Sequence, residues 1–362
     1  MADIKLERHR ERILELLDLF RLSFGHSISA ELWHWKYLQN PLAAADPEVI
    51  VAIDSGKIVG ARPFLLSEMW LKDEKIKAAQ PCDTMVHPEH RRKGILDRMN
   101  QFAIDYFKEN GYALFYNFPN SMSLGGYLKQ DWRIVSRTEG LCRFAHPQRL
   151  LSHKLKTRLG GYVLGFFYDK LLNTRMGEGS LSSNFFRIEV SDRFIDELKK
   201  VDTLRDKTAI DLVRDETYLR WRFDQHPEHK YKYIMVRKGK ELWGYAVVSW
   251  QEQGNGLVYG IIVDYLVKDK DIECFRILMN ESLNELEKLK CDLVFVWAFN
   301  ELPFREELVK YFSFKSPLKF PYGRFLGKGY LVAREIGERV PGEIDIYNGG
   351  NWRVTHAYQD MT

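Results

Sequence analysis

The sequence predicts two copies of one mixed α/β fold, each a mostly antiparallel sheet flanked by helices. Three observations carry this expectation. The chain has 362 residues, more than one ordinary core encloses, so two domains are the natural count. Four blocks of sequence recur in one order at an offset that stays between 180 and 186 residues. Each copy alternates short apolar runs with amphipathic segments of helical period, the pattern of helices laid on the faces of a sheet.

The blocks define the elements in order. WKYLQNP (35–41) answers to WRFDQHP (221–227), Trp, basic, aromatic, any residue, Gln, Asn or His, Pro. Ser29 is placed to cap the start of this second helix and Pro41 to stop it. VIVAIDSGKIVGA (49–61) answers to YIMVRKGKELWGYA (233–246), two apolar runs around a Gly-Lys turn, each reaching a glycine, Gly60 or Gly244. That is a hairpin signature. DTMVHP (83–88) answers to DYLVKD (264–269), and each leads into a helix, over 94–110 and 271–289. Gly111 ends the first of these in a left-handed cap. ALFYNFPN (113–120) answers to LVFVWAFN (293–300), apolar strands ending in Asn120 and Asn300. The expected organisation is a first domain at 1–146, a basic-aromatic linker at 147–205 and a second, degenerate domain at 206–362.

Composition excludes several classes of function. Net charge is +4, from 54 basic and 50 acidic residues, without the basic excess of a nucleic-acid binder. The four cysteines form no C-x-x-C pair and the histidines no H-E-x-x-H pair, so no metal is expected and a reducing cytoplasm fits. The N-terminus MADIKLERHRERILELL is charged from the start and is not read as a signal peptide. The longest apolar run, LGGYVLGFFY (159–168), falls short of the ~20 residues of a spanning helix. It reads as a packed linker helix, with a membrane-surface helix as the alternative.

The stretch HPEHRRKGILDRM (87–99) puts Arg91, Arg92 and Lys93 directly before Gly94, where the extended segment KIKAAQPCDTMV gives way to a helix. Basic residues at a helix N-terminus oppose the helix dipole unless an anion is to be bound. The first-turn N–H groups, a glycine that admits close approach and three cationic side chains together read as a pyrophosphate cradle.

These residues, as V-x-P-x-x-R-R-K-G-I-L, resemble motif A of the GNAT acyltransferases, with Leu96 where the family pattern has Gly or Ala. Tandem GNAT enzymes, including the Eis-type aminoglycoside acetyltransferases, are similar in this respect, and the backbone N–H survives the change. A second stretch, NSMSLGGYLKQDW (120–132), resembles the family's Asn, small residue, Tyr, aromatic pattern through Asn120, Ser123, Tyr127 and Trp132.

The resemblance implies an N-acyltransferase, acetyl-CoA as cosubstrate, no metal, and direct attack by a primary amine. It implies cofactor contacts from Met85, Val86, Arg91, Arg92, Lys93, Gly94, Ile95, Leu96, Asn120 and Ser123, the thioester oxygen being met by the N–H groups near Met85 and Val86. Tyr127 is the implied proton donor to the thiolate. Strand alternation sets Gln80, Cys82 and Thr84 on one face and Asp83 and Met85 on the other. Gln80 stands near the family's glutamate base and cannot act as one, leaving Asp83, or a water-relayed base elsewhere, to take the amine proton. His87 reads as structural. Trp33, Trp35 and Tyr37, with Trp221 and Phe223 in the twin, read either as core or, for Trp33 and Tyr37, as an aromatic wall for the acceptor.

The second copy lacks the equipment, with Asp269 and Asp271 in the turn and Glu307 at the step of Tyr127. The tail NGGNWRVTHAYQDMT resembles those of tandem GNAT proteins of surface-polysaccharide modification, which implies an amino-sugar acceptor. Two other readings stay open, a Fem-type aminoacyl or peptidyl transferase and a non-catalytic acyl-CoA-binding module. The tandem arrangement suggests a monomer or weak dimer.

Overall fold

The structure, a computed structural model, describes residues 5–8, 12–43, 49–155, 185–299, 302–316, 329–337 and 344–359. The apolar run at 159–168 and Asn300 lie outside them. Among the described residues no helix is long and apolar enough to cross a membrane.

Two mixed sheets, flanked by helices, make up the molecule. The first contains β1 (Lys5–Arg8), β2 (Val49–Asp54), β3 (Lys57–Leu71), β4 (Glu74–Pro81), β5 (Met85–Val86), β6 (Tyr112–Asn117) and β7 (Arg133–Thr138). The second contains β8 (Gly140–Phe144), β9 (Phe186–Ser191), β11 (Tyr231–Lys238), β12 (Glu241–Glu252), β13 (Val258–Val267) and β14 (Leu293–Trp297). Two strands of the second half join the first sheet. β10 (Ile210–Leu212) extends β3, and β15 (Gly329–Glu335) lies between β6 and β7, antiparallel to both. In return β8, which follows β7 directly, closes the edge of the second sheet against β14. The segment expected as linker supplies β9 to that sheet, paired with β11.

The repeat is visible element by element. Ser29 and Asp215 cap equivalent helices, accepting from the N–H of Leu32 and Tyr218 at 3.1 and 2.8 Å. Both helices then loosen into a π-helical turn, at His34–Leu38 and Arg220–Asp224. Gly60 and Gly244 have the same purpose. A Cβ on either would stand 3.0 Å from Ile95 or 2.8 Å from Cys274, so the glycines let the helices Ile95–Glu109 and Ile272–Lys288 settle on their hairpins. Gly111 takes the left-handed conformation just beyond the first of these, as expected.

Two details of the sequence reading are corrected. β6 stops at Asn117, not Asn120, and the expected strand across 75–86 breaks after Pro81. Cys82 donates its N–H to Pro63 while Met85 faces Ala61, so three steps on one strand match two on the other. The extra residue is taken up near Asp83, which has a φ of 42°. Strand alternation therefore fails there, and Cys82 and Met85 end in the same core cluster, with Trp33 and Tyr37.

Candidate active site

The break between β4 and β5 builds the site. β4 pairs with β6 in parallel, through Lys77–Ala79, but β5 pairs with β3 alone. The two strands splay, and a gap opens at the C-terminal end of β6. The His87 N–H donates to Val59 at 2.9 Å, so odd-numbered residues of this stretch turn their N–H to β3. Met85 is therefore committed to the ladder and its side chain is fully buried, whereas Val86 presents its backbone to the gap.

Beyond Val86 the chain makes a short turn at Pro88–His90 and enters the helix Ile95–Glu109. His90 Nε2 lies 3.1 Å from Asp54 Oδ2, which ties the turn to the β2–β3 hairpin. Arg91 folds back to donate Nε–H to the Val86 carbonyl at 3.2 Å. Arg92 and Gly94 both have positive φ, 62° and 71°, and a Cβ on Gly94 would point into open space. No side chain caps this helix. The N–H groups of its first turn have no helical carbonyl to bond, and they face an open pocket of about 400 Å³ lined by Thr84, Val86, His90, Arg91, Arg92, Gly94, Ile95, Leu96 and Asp97, with Ser23 and Phe24 from the first helix. Lys93 is exposed at the rim and does not line it. The arrangement suits an extended anion.

Tyr127, on the short helix Leu124–Leu128, stands across the gap. Its ring packs edge-on against Trp132, centroids 4.9 Å apart. Its hydroxyl accepts from Asn117 Nδ2, which also donates to the Pro81 carbonyl at 2.7 Å. Gln80 Nε2 reaches Asn117 Oδ1 at 3.2 Å. Asn117 thus ties the end of β4 to Tyr127. Sequence reasoning missed it because Asn120, not Asn117, stands at the motif's spacing from Tyr127. Asn120 and Ser123 do not line the pocket. The Asn120 side chain accepts from the N–H groups of Met122 and Ser123, both at 3.0 Å, and shapes the turn that carries Tyr127.

Asp83 faces away from the pocket, towards the helix before β2. Its Oδ2 accepts from Lys36 Nζ at 2.8 Å and from the Tyr37 hydroxyl. Lys36 is buried. Trp33 and Tyr37 are 1% and 2% exposed, so their rings are packed inside the core and present no open wall. Trp35 stacks on Trp221 at 5.1 Å, and each indole N–H donates to the other residue's carbonyl, at 2.8 and 2.9 Å. The repeated heptads meet each other at the junction of the two halves.

The equivalent place in the second copy is closed. Asp271 caps the helix Ile272–Lys288, accepting from the Cys274 N–H at 2.9 Å. Phe304 stacks flat on Phe275, centroids 4.2 Å apart, and the corner between Val267 and Phe304 encloses only about 50 Å³. Glu307 is paired with Arg276 at 2.7 Å. Among the described residues no cluster of side chains could hold a metal ion.

Residues 8–135 match the acetyltransferase (GNAT) domain family. No curated protein matches the sequence. Solved structures share the fold over nearly the whole chain. A GCN5-related N-acetyltransferase from Anabaena variabilis superposes with a TM-score of 0.62 at 11% identity, over 92% of this chain and 73% of that one. One from Kribbella flavida gives 0.60 at 12%, over 92% and 71%. A tandem GNAT protein from the clavulanic acid biosynthesis pathway gives 0.57 at 12%, over 93% of this chain and all, 100%, of its own.

Proposed function

We propose that this chain, whose residues 8–135 match the acetyltransferase (GNAT) domain family and whose fold resembles that of a tandem GNAT protein, moves an acetyl group from acetyl-CoA to a primary amine by direct attack. The observation that carries this reading is the contrast between the two copies. One helix start is uncapped, cationic and open around Gly94, while its twin is capped by Asp271 and filled by Phe304. One acetyl-CoA per chain is the consequence.

In this mechanism Gly94, Ile95 and Leu96 offer backbone N–H groups to the diphosphate, and Arg91, Arg92 and Lys93 add charge at the rim. The Val86 N–H meets the thioester oxygen as it gains negative charge. The amine attacks in its neutral form, so its proton must leave first. Asp83 is a poor candidate to take it, because Lys36 and Tyr37 already occupy its Oδ2. A base that acts through water fits better. Tyr127 then gives its proton to the departing sulfur. Trp33 and Tyr37 act by holding the helix behind Asp83, and the acceptor, an amino sugar by the resemblance of the tail, enters from the side facing the second half. Four buried cysteines outside any disulfide fit a reducing cytoplasm. The Trp35–Trp221 junction supplies inside one chain the kind of contact that single domains make by pairing, which supports a monomer.

Calorimetric titration with acetyl-CoA tests the reading, with Gly94→Glu as control. One site per chain is expected in the natural protein, and none in the variant, where a carboxylate would fill the cradle. Two sites would mean that the second copy binds as well. Absence of binding to acetyl-CoA, to longer acyl-CoA and to CoA would sink the proposal and leave the Fem-type reading.

A further inference from the structure

Arg62, in the middle of β3, is buried at 5% exposure. It lies on the sheet face that carries the cradle. Gly60, two residues before it, touches Ile95, and Phe64, two after, packs on Phe107 at 4.6 Å. Its Nη1 donates to Thr84 Oγ1 at 2.9 Å, its Nε has no partner among the described residues, and the Tyr127 phenol is the neighbouring group that most favours its charge. Burial pushes its pKa down, and the groups that pull it back are Tyr127 and Cys82, with no carboxylate among them. A buried guanidinium without a counter-charge is costly. Such a group is kept where a negative charge is to arise beside it. A carboxylate partner would cancel its field at that point.

We propose that Arg62 is a positioning residue for acyl transfer, holding the Tyr127 phenol at the β5–β6 gap and stabilising the phenolate formed when Tyr127 protonates the leaving sulfur. This rests on the reaction proposed above. As the tetrahedral adduct collapses, the C–S bond breaks and its electron pair goes to sulfur. Sulfur takes the proton from Tyr127 Oη, and the phenolate is left between the Arg62 guanidinium and the Asn117 amide. The proton given up by the amine passes to water, and a proton from water restores the phenol. The Asn117 N–H on the phenol oxygen and the nearby guanidinium charge both favour its anionic form and so make Tyr127 a stronger acid.

The test uses full-length protein saturated with CoA. The pH dependence of alkylation of the bound CoA thiol by iodoacetamide is followed, which is practical because the protein's own four cysteines are buried. Arg62→Met, which keeps the bulk and removes the charge, is expected to raise the midpoint by about one pH unit, with CoA affinity little changed. Arg62→Lys should fall between the two. In a Tyr127→Phe background most of the Arg62→Met shift should vanish, because the effect runs through the phenol. An unmoved midpoint in Arg62→Met with CoA still bound overturns the proposal and makes Arg62 a packing residue. If the methionine variant does not fold, Arg62→Lys decides alone, and a midpoint identical to the natural protein's is the adverse result. Failure of the natural protein to bind CoA removes the parent reading and this inference with it. Failure of the midpoint shift alone leaves the parent reading standing.

Discussion

By the repeat, Lys36 answers to Arg222 and Asp83 to Asp264. Lys36 and Asp83 form an ion pair at 2.8 Å, whereas Arg222 and Asp264 do not pair with each other. Asp264 is held instead by Arg214, at 2.7 and 3.0 Å, and by the Thr355 hydroxyl. Arg222 turns to the carbonyls of Ala357 and Gln359. Arg214 also binds Asp211 at 2.7 Å, so one buried cation serves two buried acids. Burial pushes the Asp211 carboxyl up to about 6 although Arg214 pulls it down. The folded value lies above the ordinary 3.8. Between those two values the native state therefore holds more protons than the unfolded chain, and stability falls as pH rises through the window. Asp211→Asn keeps an acceptor for Arg214 and removes the titration. Urea unfolding at pH 4.5 and 6.5 should show the natural protein losing stability between the two and the variant losing less. Equal slopes would mean that Asp211 does not titrate in this range.

The helix that follows the long strand is the element on which the two copies differ in chemistry. In the first copy it begins at a glycine with no cap. In the second it begins at Asp271, whose side chain satisfies the Cys274 N–H. Asp271→Ala should cost about 1 kcal/mol of stability, as N-cap removal does. It should not create a second acetyl-CoA site, because Phe304 still lies on Phe275 and the turn has no glycine. Denaturant titration reads the first effect and calorimetry the second. A stoichiometry that rises to two would show that the cap alone kept the second copy closed. The open, cationic helix start was legible from residues 91–96, because turn chemistry and helix starts are local. The end of β6 was not. Asn117 and Asn120 both precede turn-forming sequence, and only the pairing of β6 with β4 and β15 shows where the strand stops.

The two halves are built into one another. β15 is hydrogen-bonded on both sides within the first sheet, between β6 and β7, and β8 is the edge of the second. Residues 1–146 expressed alone would lack β15 and β10, leaving β6 and β7 without their shared partner. Such a fragment is expected to be insoluble or to lack a cooperative unfolding transition, while the whole chain unfolds cooperatively. A stable, monomeric fragment with native-like circular dichroism would show that the exchanged strand is dispensable. The Trp35–Trp221 stack, with its reciprocal indole bonds, adds a second tie at the pseudo-symmetric centre.

The sequence by itself determined the repeat, the hairpins with their close-packing glycines, the caps at Ser29 and Gly111, and the cationic helix start at Gly94. Each is written in a few adjacent residues, through periodicity, turn conformation and the electrostatics of a helix end. Tertiary structure alone decided the rest. It put Trp33 and Tyr37 in the core, gave Asp83 to Lys36, brought Arg62 and Asn117 to Tyr127 and exchanged β8 and β15 between the sheets. Those contacts join residues far apart in the chain, and their geometry follows from how the sheets close and where one extra residue near Asp83 parts β5 from β6, which no local pattern encodes.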